Sequence, residues 1–346
     1  MANIYTAQSP CRVDMAGGTL DIWPLYLYHP GAVTVNFAVD RYTHCRITPR
    51  TDGAVVLVSE DLKKTEAFAS LDSLLAEKKP GLGLLAWAIR HFANVAREKL
   101  DALNGFELWT SSEAPAGAGI SGSSALLITV ASAFNKLCGT GYSIEHVREV
   151  AQNIEAQIIN VPTGAQDYYP AMYGGVGALE LRVDGLIRKP IPVDLDDFNQ
   201  RIVLAYTGLP RNSGINNWEV TKLHIDGDKQ VHRNFAKISA IAQAMRGALE
   251  KSNWAEVGRL VREEWGHRRK NAPGITTPLI DQLIAVTKKK GALGGKVCGA
   301  GGGGCVFFLV EPDAKQRVSE AIAAEGATVL PVTVAPKGVR VNVKSL

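Results

Sequence analysis

Apolar and polar positions alternate loosely over 4–13, IYTAQSPCRV, which predicts a strand interrupted at Pro10. Residues 32–48, AVTVNFAVDRYTHCRIT, and 54–59, AVVLVS, are rich in β-branched residues and read as further strands. The pattern then shifts to helical spacing over 81–100 and returns to a strand at 106–111, FELWTS. A long apolar segment predicts a helix from about Ser123 to Cys138, with Gly139 as its stop signal. A second helix follows from Ser143 to Asn160, with Ile144, Val147, Ala151, Ile154 and Ile158 on one face, and Pro162-Thr163-Gly164 ends it. Val176 to Ile187 reads as strands about Asp184-Gly185, and PIPVDLDDFNQ as a polar connector. The texture then begins afresh with a strand at 202–208, helices at 231–250, 253–267 and 276–290, and alternating segments ATVLPVTVA and VRVNVKS near the end. A boundary near 190–200 divides the chain into 1–195 and 196–346.

Composition narrows the class. The 346 residues suit two domains of ordinary size, and 46% hydrophobic with 21% charged residues suits a globular chain with a sizeable core. The net charge is +4 with dense basic runs only at Lys288–Lys290 and His267–Lys270, so nucleic acid is not an expected partner. Five widely spaced cysteines, Cys11, Cys45, Cys138, Cys298 and Cys305, form no C-x-x-C pair and read as small buried hydrophobes in a reducing compartment. The histidines form no zinc signature. No run of 18 apolar residues or signal-peptide core is present, so the expected location is the cytoplasm, with no membrane partner.

Candidate chemistry concentrates where the strand at 106–111 gives way to the helix. Gly117, Gly119 and Gly122 lie in this turn. Glycines let N–H groups face a ligand with no Cβ in the way, and a helix start adds unpaired N–H groups and a positive dipole end. The combination suits phosphate. The three glycines also fit G-x-G-x-x-G, but that fingerprint wants a strand abutting the first glycine, and Ser111–Pro115 intervenes. Gly117 and Gly122 have P-loop spacing, yet Ser123 stands where a lysine belongs. A plain loop before a core helix fits the same residues. Elsewhere, Asp14, Thr19 and Asp21 crowd around Gly17-Gly18, and a glycine run occupies 299–304. Glu155 fits a solvated helix face as well as a ligand, and Asp167 an N-cap as well as a base.

Three ordered segments carry a resemblance. P-A-G-A-G-I-S-G-S-S-A at 115–125 resembles the glycine/serine signature of the GHMP kinases, S-P-C-R-V-D-M-A-G-G-T-L-D at 9–21 precedes it, and K-V-C-G-A-G-G-G-G-C-V at 296–306 follows. Glu155 and T-G-A-Q-D with Y-G-G at 163–175 match the family's acidic pair. A-G-G-T-L-D at 16–21, V-N-F-A-V-D-R-Y at 35–42 and A-Q-D-Y-Y-P-A-M-Y-G-G at 165–175 resemble the heptose-phosphate and fucose kinase branch. Two departures stand out: G-I-S-G-S-S-A replaces G-L-G-S-S-A, and G-G-T-L-D replaces G-G-G-T-D.

The resemblance implies an α+β fold of two domains, the first like ribosomal protein S5 domain 2 and the second ferredoxin-like, with the site between them. It implies an ATP-dependent kinase acting on a hydroxyl of a sugar or sugar phosphate, with heptose or heptose 7-phosphate favoured, and ATP and Mg2+ as cofactors. Pro115, Gly117, Ala118, Gly119, Ile120, Ser121, Gly122, Ser123 and Ser124 would hold ATP. Ser123 and Glu155 would bind the metal, with Ser124 an open alternative. Asp167 would accept or orient the acceptor proton, with Arg12 beside it. Asp21, Thr19, Gly18, Gly17, Gly301 and Gly302 would face the acceptor. Trp87, Tyr42, Tyr173 and Arg268 are further contacts in principle, with core packing the plainer role for the aromatics. Open rivals are a kinase of a non-sugar alcohol such as mevalonate or homoserine, a non-catalytic sugar sensor, and an NADH-binding oxidoreductase. Acceptor screening, absence of turnover and NADH titration would separate them. A homodimer is among the open assembly states.

Overall fold

The structure, a computed structural model, describes residues 3–210 and 213–345, with side chains throughout except over 213–216. Two sheets organise it. The first holds β1 (Asn3–Ala16), β2 (Val33–Pro49), β3 (Val55–Ser59), β4 (Lys64–Phe68), β5 (Phe106–Ser112), β6 (Val176–Arg182), β7 (Gly185–Pro190) and β12 (Arg340–Ser345). The second holds β8 (Ile202–Tyr206), β9 (Ala292–Val297), β10 (Cys305–Val310) and β11 (Thr328–Leu330), in the order β11-β8-β10-β9. The α+β expectation holds.

The first sheet is built on β1 and β2. The strand expected to break at Pro10 runs through it, because the antiparallel register shifts between Pro10 and Cys11 and again between Asp14 and Ala16. A bulge accommodates a residue without an N–H. β2 serves two partners in succession: Val33–Phe37 pairs with β6 and Thr43–Pro49 with β5. The helix Gly122–Cys138 packs on β1 and β2, flanked by the helices Gly83–Asp101 and Ile144–Ile159. It begins one residue earlier than expected and ends on Gly139, φ +63°, as the sequence indicates.

Several elements differ from expectation. The polar connector contains a helix, Leu195–Arg201, because Asp194 accepts N–H bonds from Asp196 (2.9 Å) and Asp197 (3.2 Å) and Phe198 is buried. The helices Ser213–Ile225 and Lys315–Ala324 carry no expectation from the periodicity reading. The alternating tail does not stay in the second sheet: β12 pairs with β1 from Asn3↔Ser345 to Gln8↔Arg340. β1–β7 and β8–β11 part between Pro190 and Ile202, with residues 195/196 inside the helix Leu195–Arg201, and the last strand returns to the first sheet. All five cysteines are buried and none is in a disulfide. No helix among the described residues is long and apolar enough to cross a membrane.

Candidate active site

A cleft of about 300 Å³ opens beside the glycine loop, walled by Ala114–Gly119, Ser121–Ser124, the end of β1 and the segment after the helix Ile144–Ile159. Its geometry follows from how the loop is fastened. Three consecutive carbonyls are engaged from behind: Ala118 by the Cys305 N–H (2.7 Å), Gly119 by Arg12 Nη1 (2.7 Å) and Ile120 by the Arg12 N–H (3.0 Å). A trans peptide points its N–H opposite to its carbonyl. The N–H groups of Gly119, Ile120 and Ser121 are therefore turned away from the two strands. Among the described residues no protein acceptor meets them. Ser121 is left-handed, φ +61°, and its side chain does not cap the helix that starts at Gly122. Its hydroxyl is buried without a partner. An uncapped helix start and a row of free amides form an anion site.

Arg12 joins this loop to the acid. It is 2% exposed, and its Nε (3.0 Å) and Nη2 (2.5 Å) both donate to Oδ1 of Asp167. Among the described residues Oδ2 of Asp167 has no bond, and Asp167 lines the cleft at 27% exposure. Burial works against the charge on Arg12, but Asp167 and Asp14 outweigh it and hold the guanidinium above its ordinary pKa.

Glu155 sits at the other end of the loop. Both of its oxygens are covered by hydroxyls: Ser123 Oγ and Tyr168 Oη donate to it, as does Ser124 Oγ at 2.8 Å. Burial raises its pKa, and hydroxyl bonds only partly offset this. No basic side chain pairs with it among the described residues. A buried carboxylate surrounded by neutral oxygens, beside an anion site, suits a hard cation such as Mg2+. Ser123 and Ser124 both touch Glu155, so the choice between them stays open. Tyr168, absent from the sequence-based candidates, is fully buried and fixes the carboxylate.

The acceptor candidates divide. Asp21 and Thr19 line the cleft. Asp21 accepts the Gln166 N–H at 2.8 Å, and its pKa is pushed up to about 7 by burial and then by Asp167. Gly17 and Gly18 form the turn behind them, closed by the Leu20 N–H to the Gly17 carbonyl at 3.2 Å. Gly301 and Gly302 are not on the cleft wall, because Gly302 donates to the Ile275 carbonyl at 2.9 Å; Gly299 and Ala300 face the cleft in their place. Ile120 is fully buried behind the loop, whereas Pro115, Gly117, Ala118, Gly119, Ser121, Gly122, Ser123 and Ser124 all face the cleft. Trp87 stacks with Arg90, Tyr42 with Arg340, and Tyr173 bonds Glu145; none of the three lines the cleft.

Two features have no counterpart in the sequence reading. Ser59, Asp61 and Leu62, at the β3–β4 turn, line the cleft together with Leu84, Leu126 and Ile159. A buried charge cluster backs the turn after β1. Lys296 donates to Asp14 Oδ2 at 2.5 Å and lies 3.5 Å from Glu264, and Arg268 donates to Glu264 at 3.1 Å. Burial alone would raise the Asp14 carboxyl, but Lys296 and then Arg268 reverse this and hold it below its usual range. Arg268 also reaches the cleft, so of the four extra contacts named from sequence it alone has a place there.

Comparison with known proteins bears on the family of the chain. Residues 84–175 match the GHMP kinases N terminal domain model and 245–328 the GHMP kinases C terminal model, together about half of the chain. The chain is 25% identical over 338 residues to a D-glycero-alpha-D-manno-heptose 7-phosphate kinase of Campylobacter jejuni, covering 96% of this chain and 97% of that one. It is 28% identical over 370 residues to the L-fucokinase/L-fucose-1-P guanylyltransferase of Bacteroides fragilis, covering 98% of this chain but only 38% of that longer protein. A solved D-glycero-D-manno-heptose 1-phosphate kinase from Bacteroides thetaiotaomicron shares the fold, with a TM-score of 0.76 at 23% identity over 97% of this chain and 98% of that one. The chain belongs to the GHMP kinases and is an enzyme of that phosphotransferase family.

Proposed function

We propose that the chain transfers the γ-phosphoryl group of ATP to a hydroxyl of a sugar or sugar phosphate, with a heptose or heptose 7-phosphate as the acceptor. The observation that carries the reading is the Arg12 bridge: one side chain holds Oδ1 of Asp167 and the Gly119 carbonyl of the anion loop. An acid is thereby set beside a phosphate cradle with its second oxygen free. The activities of the two relatives support a sugar-type acceptor.

Each part of the cleft then has a task. The amides of Gly119–Ser121 and the helix start grip the triphosphate. The apolar lining of Leu84, Leu126 and Ile159, with Leu62, takes the nucleobase. Mg2+ held by Glu155 and Ser123 or Ser124 would neutralise charge on the β- and γ-phosphates. Oδ2 of Asp167 accepts the acceptor O–H and orients it, receiving the proton as the oxygen bonds phosphorus and ADP leaves. Arg12 keeps Asp167 in place. Asp21 binds a second acceptor hydroxyl, since a carboxylate accepts several hydrogen bonds.

Coupled ADP release over a panel of sugars, heptose phosphates, mevalonate and homoserine tests the reading. Acceptor-dependent turnover on a sugar or its phosphate is expected, and Asp167→Ala should lower kcat by about 10²–10⁴. The proposal fails if no panel member releases ADP faster with the wild type than with Asp167→Ala. Turnover confined to mevalonate or homoserine would replace the sugar with the non-sugar acceptor.

A further inference from the structure

Three histidines meet away from the loop and the acid. His29 ends the short helix Leu25–Tyr28, between β1 and β2, while His224 and His232 belong to the helices Ser213–Ile225 and Lys229–Glu250 that follow β8. The Nε2 atoms of His29 and His224 lie 2.8 Å apart, so one ring donates and the other accepts. The His232 ring stacks on His224 with centroids 3.9 Å apart, and its Nε2 donates to the His224 carbonyl at 2.8 Å. His29 and His224 are buried, and Nδ1 of His224 has no hydrogen-bond partner. Tyr28 and Phe235 close the cluster, each with its ring centroid 5.5 Å from that of His224.

No carboxylate bonds any of these three rings among the described residues. The charged groups of the elements packed here are engaged elsewhere or exposed. Asp226 lies 3.8 Å from Lys222, Asp228 accepts the Gln230 and Val231 N–H groups, and Arg233 donates to Gln230. Glu180 of β6 pairs with Arg182 and Arg246, and Glu219 and Lys229 are exposed. His267 reaches only Asn234, at 3.4 Å. A buried cation with no counter-charge is costly. Burial, then His232, holds His29 below its ordinary pKa, and burial, His232 and His29 hold His224 down to about 4. The helix that carries His224 also reaches the active cleft: Asn217, two turns and about 10 Å before it, lines the wall.

We propose that His29, His224 and His232 form a pH-responsive clasp that holds the helix Ser213–Ile225 against the cleft. While the rings are neutral the helix is pinned and Asn217 completes the wall. When they take up protons, a hydrogen bond and a ring stack become a cluster of like charges, and the helix lifts. A histidine whose pKa drops on burial favours the closed form above its free value near 6.5, and progressively less below it, down to about 4. At pH 5.5 a free imidazole is charged about ten to one, so opening becomes about 10-fold easier than at pH 7.5. The inference rests on the kinase reading only for which molecule the wall encloses.

The test compares wild type with His224→Phe, which keeps a ring in the cluster, and His224→Gln, which keeps a bond to His29; neither takes a charge. Amide hydrogen exchange over 217–225 is read at pH 7.5 and pH 5.5 and corrected for the intrinsic pH dependence of exchange. Exchange in the wild type should quicken about 10-fold at the lower pH, and in either variant by less than about twofold. The helix Gly122–Cys138 serves as the internal reference and should not change. The acceptor KM is measured at the same two pH values on the alcohol that the wild type turns over fastest. It should rise at least about threefold more in the wild type than in the variants; Asp21 and Asp167 titrate in all three proteins, so their effects cancel in this comparison. Exchange that ignores pH in the wild type, or that quickens equally in the variants, would overturn the proposal. So would equal rises in acceptor KM, which would leave a histidine cluster that does not govern the cleft. No turnover of any alcohol would remove the kinase reading, and the exchange measurement would then decide the clasp by itself.

Discussion

Asp21 combines full burial, a bond from the Gln166 N–H and a carboxylate neighbour, and these push its pKa up to about 7. The sign of the consequence is fixed by linkage. A carboxyl whose pKa rises on folding binds more protons in the native state, so its stability contribution is full below its unfolded value near 3.8 and is lost as pH rises through about 7. Asp21→Asn should therefore gain stability over wild type between pH 5 and pH 8, read as a widening gap in melting temperature. A gap that stays constant or closes would show that Asp21 is not the group responsible. Arg12 and Asp167 were legible as candidates because each lies in a motif with fixed neighbours, and Glu155 only as one of the family's acidic pair. Their geometry was not: that Arg12 grips both Asp167 and the Gly119 carbonyl depends on contacts 155 and 107 residues apart. Thr19 was legible as a candidate from its motif, but its left-handed backbone, φ +74°, was not.

The helix Gly122–Cys138 was legible almost to the residue, since a long apolar run and a glycine stop both act locally. Gly139 offers a clean check. It has φ +63°, and a Cβ there would meet nothing within 4 Å. Gly139→Ala should cost about 1–2 kcal/mol in chemical denaturation with kinetics unchanged, the cost being purely conformational. Gly304 is the contrasting case. It also has positive φ, but its Cβ would lie 2.6 Å from the Ala118 carbonyl oxygen, at the bond that fastens the loop to β10. Gly304→Ala should raise the ATP KM as well as lower stability. If the two variants showed the same ATP KM, the fastening of the loop by β10 would be irrelevant to nucleotide binding. The helix Leu195–Arg201 was hidden in the sequence because its seven residues bury only Phe198, too little for a period to register.

Across the molecule, the two sheets meet over Asp14, Glu264, Lys296 and Arg268, drawn from β1, the helix Trp254–Arg268 and β9. No sequence signal marks them as a set, because Asp14 and Lys296 are 282 positions apart. Lys296 is fully buried. Removing one member of a buried charge group strands the others, so Lys296→Met should destabilise by about 3–5 kcal/mol in denaturant unfolding. The double variant Asp14→Asn/Lys296→Met should recover part of that loss. Full additivity of the two would mean that the charges do not act as a unit. The return of β12 to β1 escaped the periodicity reading for the same reason, since alternation reports a strand but not its neighbour. The fastening of the glycine loop has one more outcome. Ala118 hangs from β10 of one sheet, while Gly119 and Ile120 hang from Arg12 on β1 of the other. Any hinge-like opening of one sheet against the other must tug the phosphate cradle out of shape or snap a tether. Under the proposed function, the same tethers tie the grip on the nucleotide to the spacing of the two sheets.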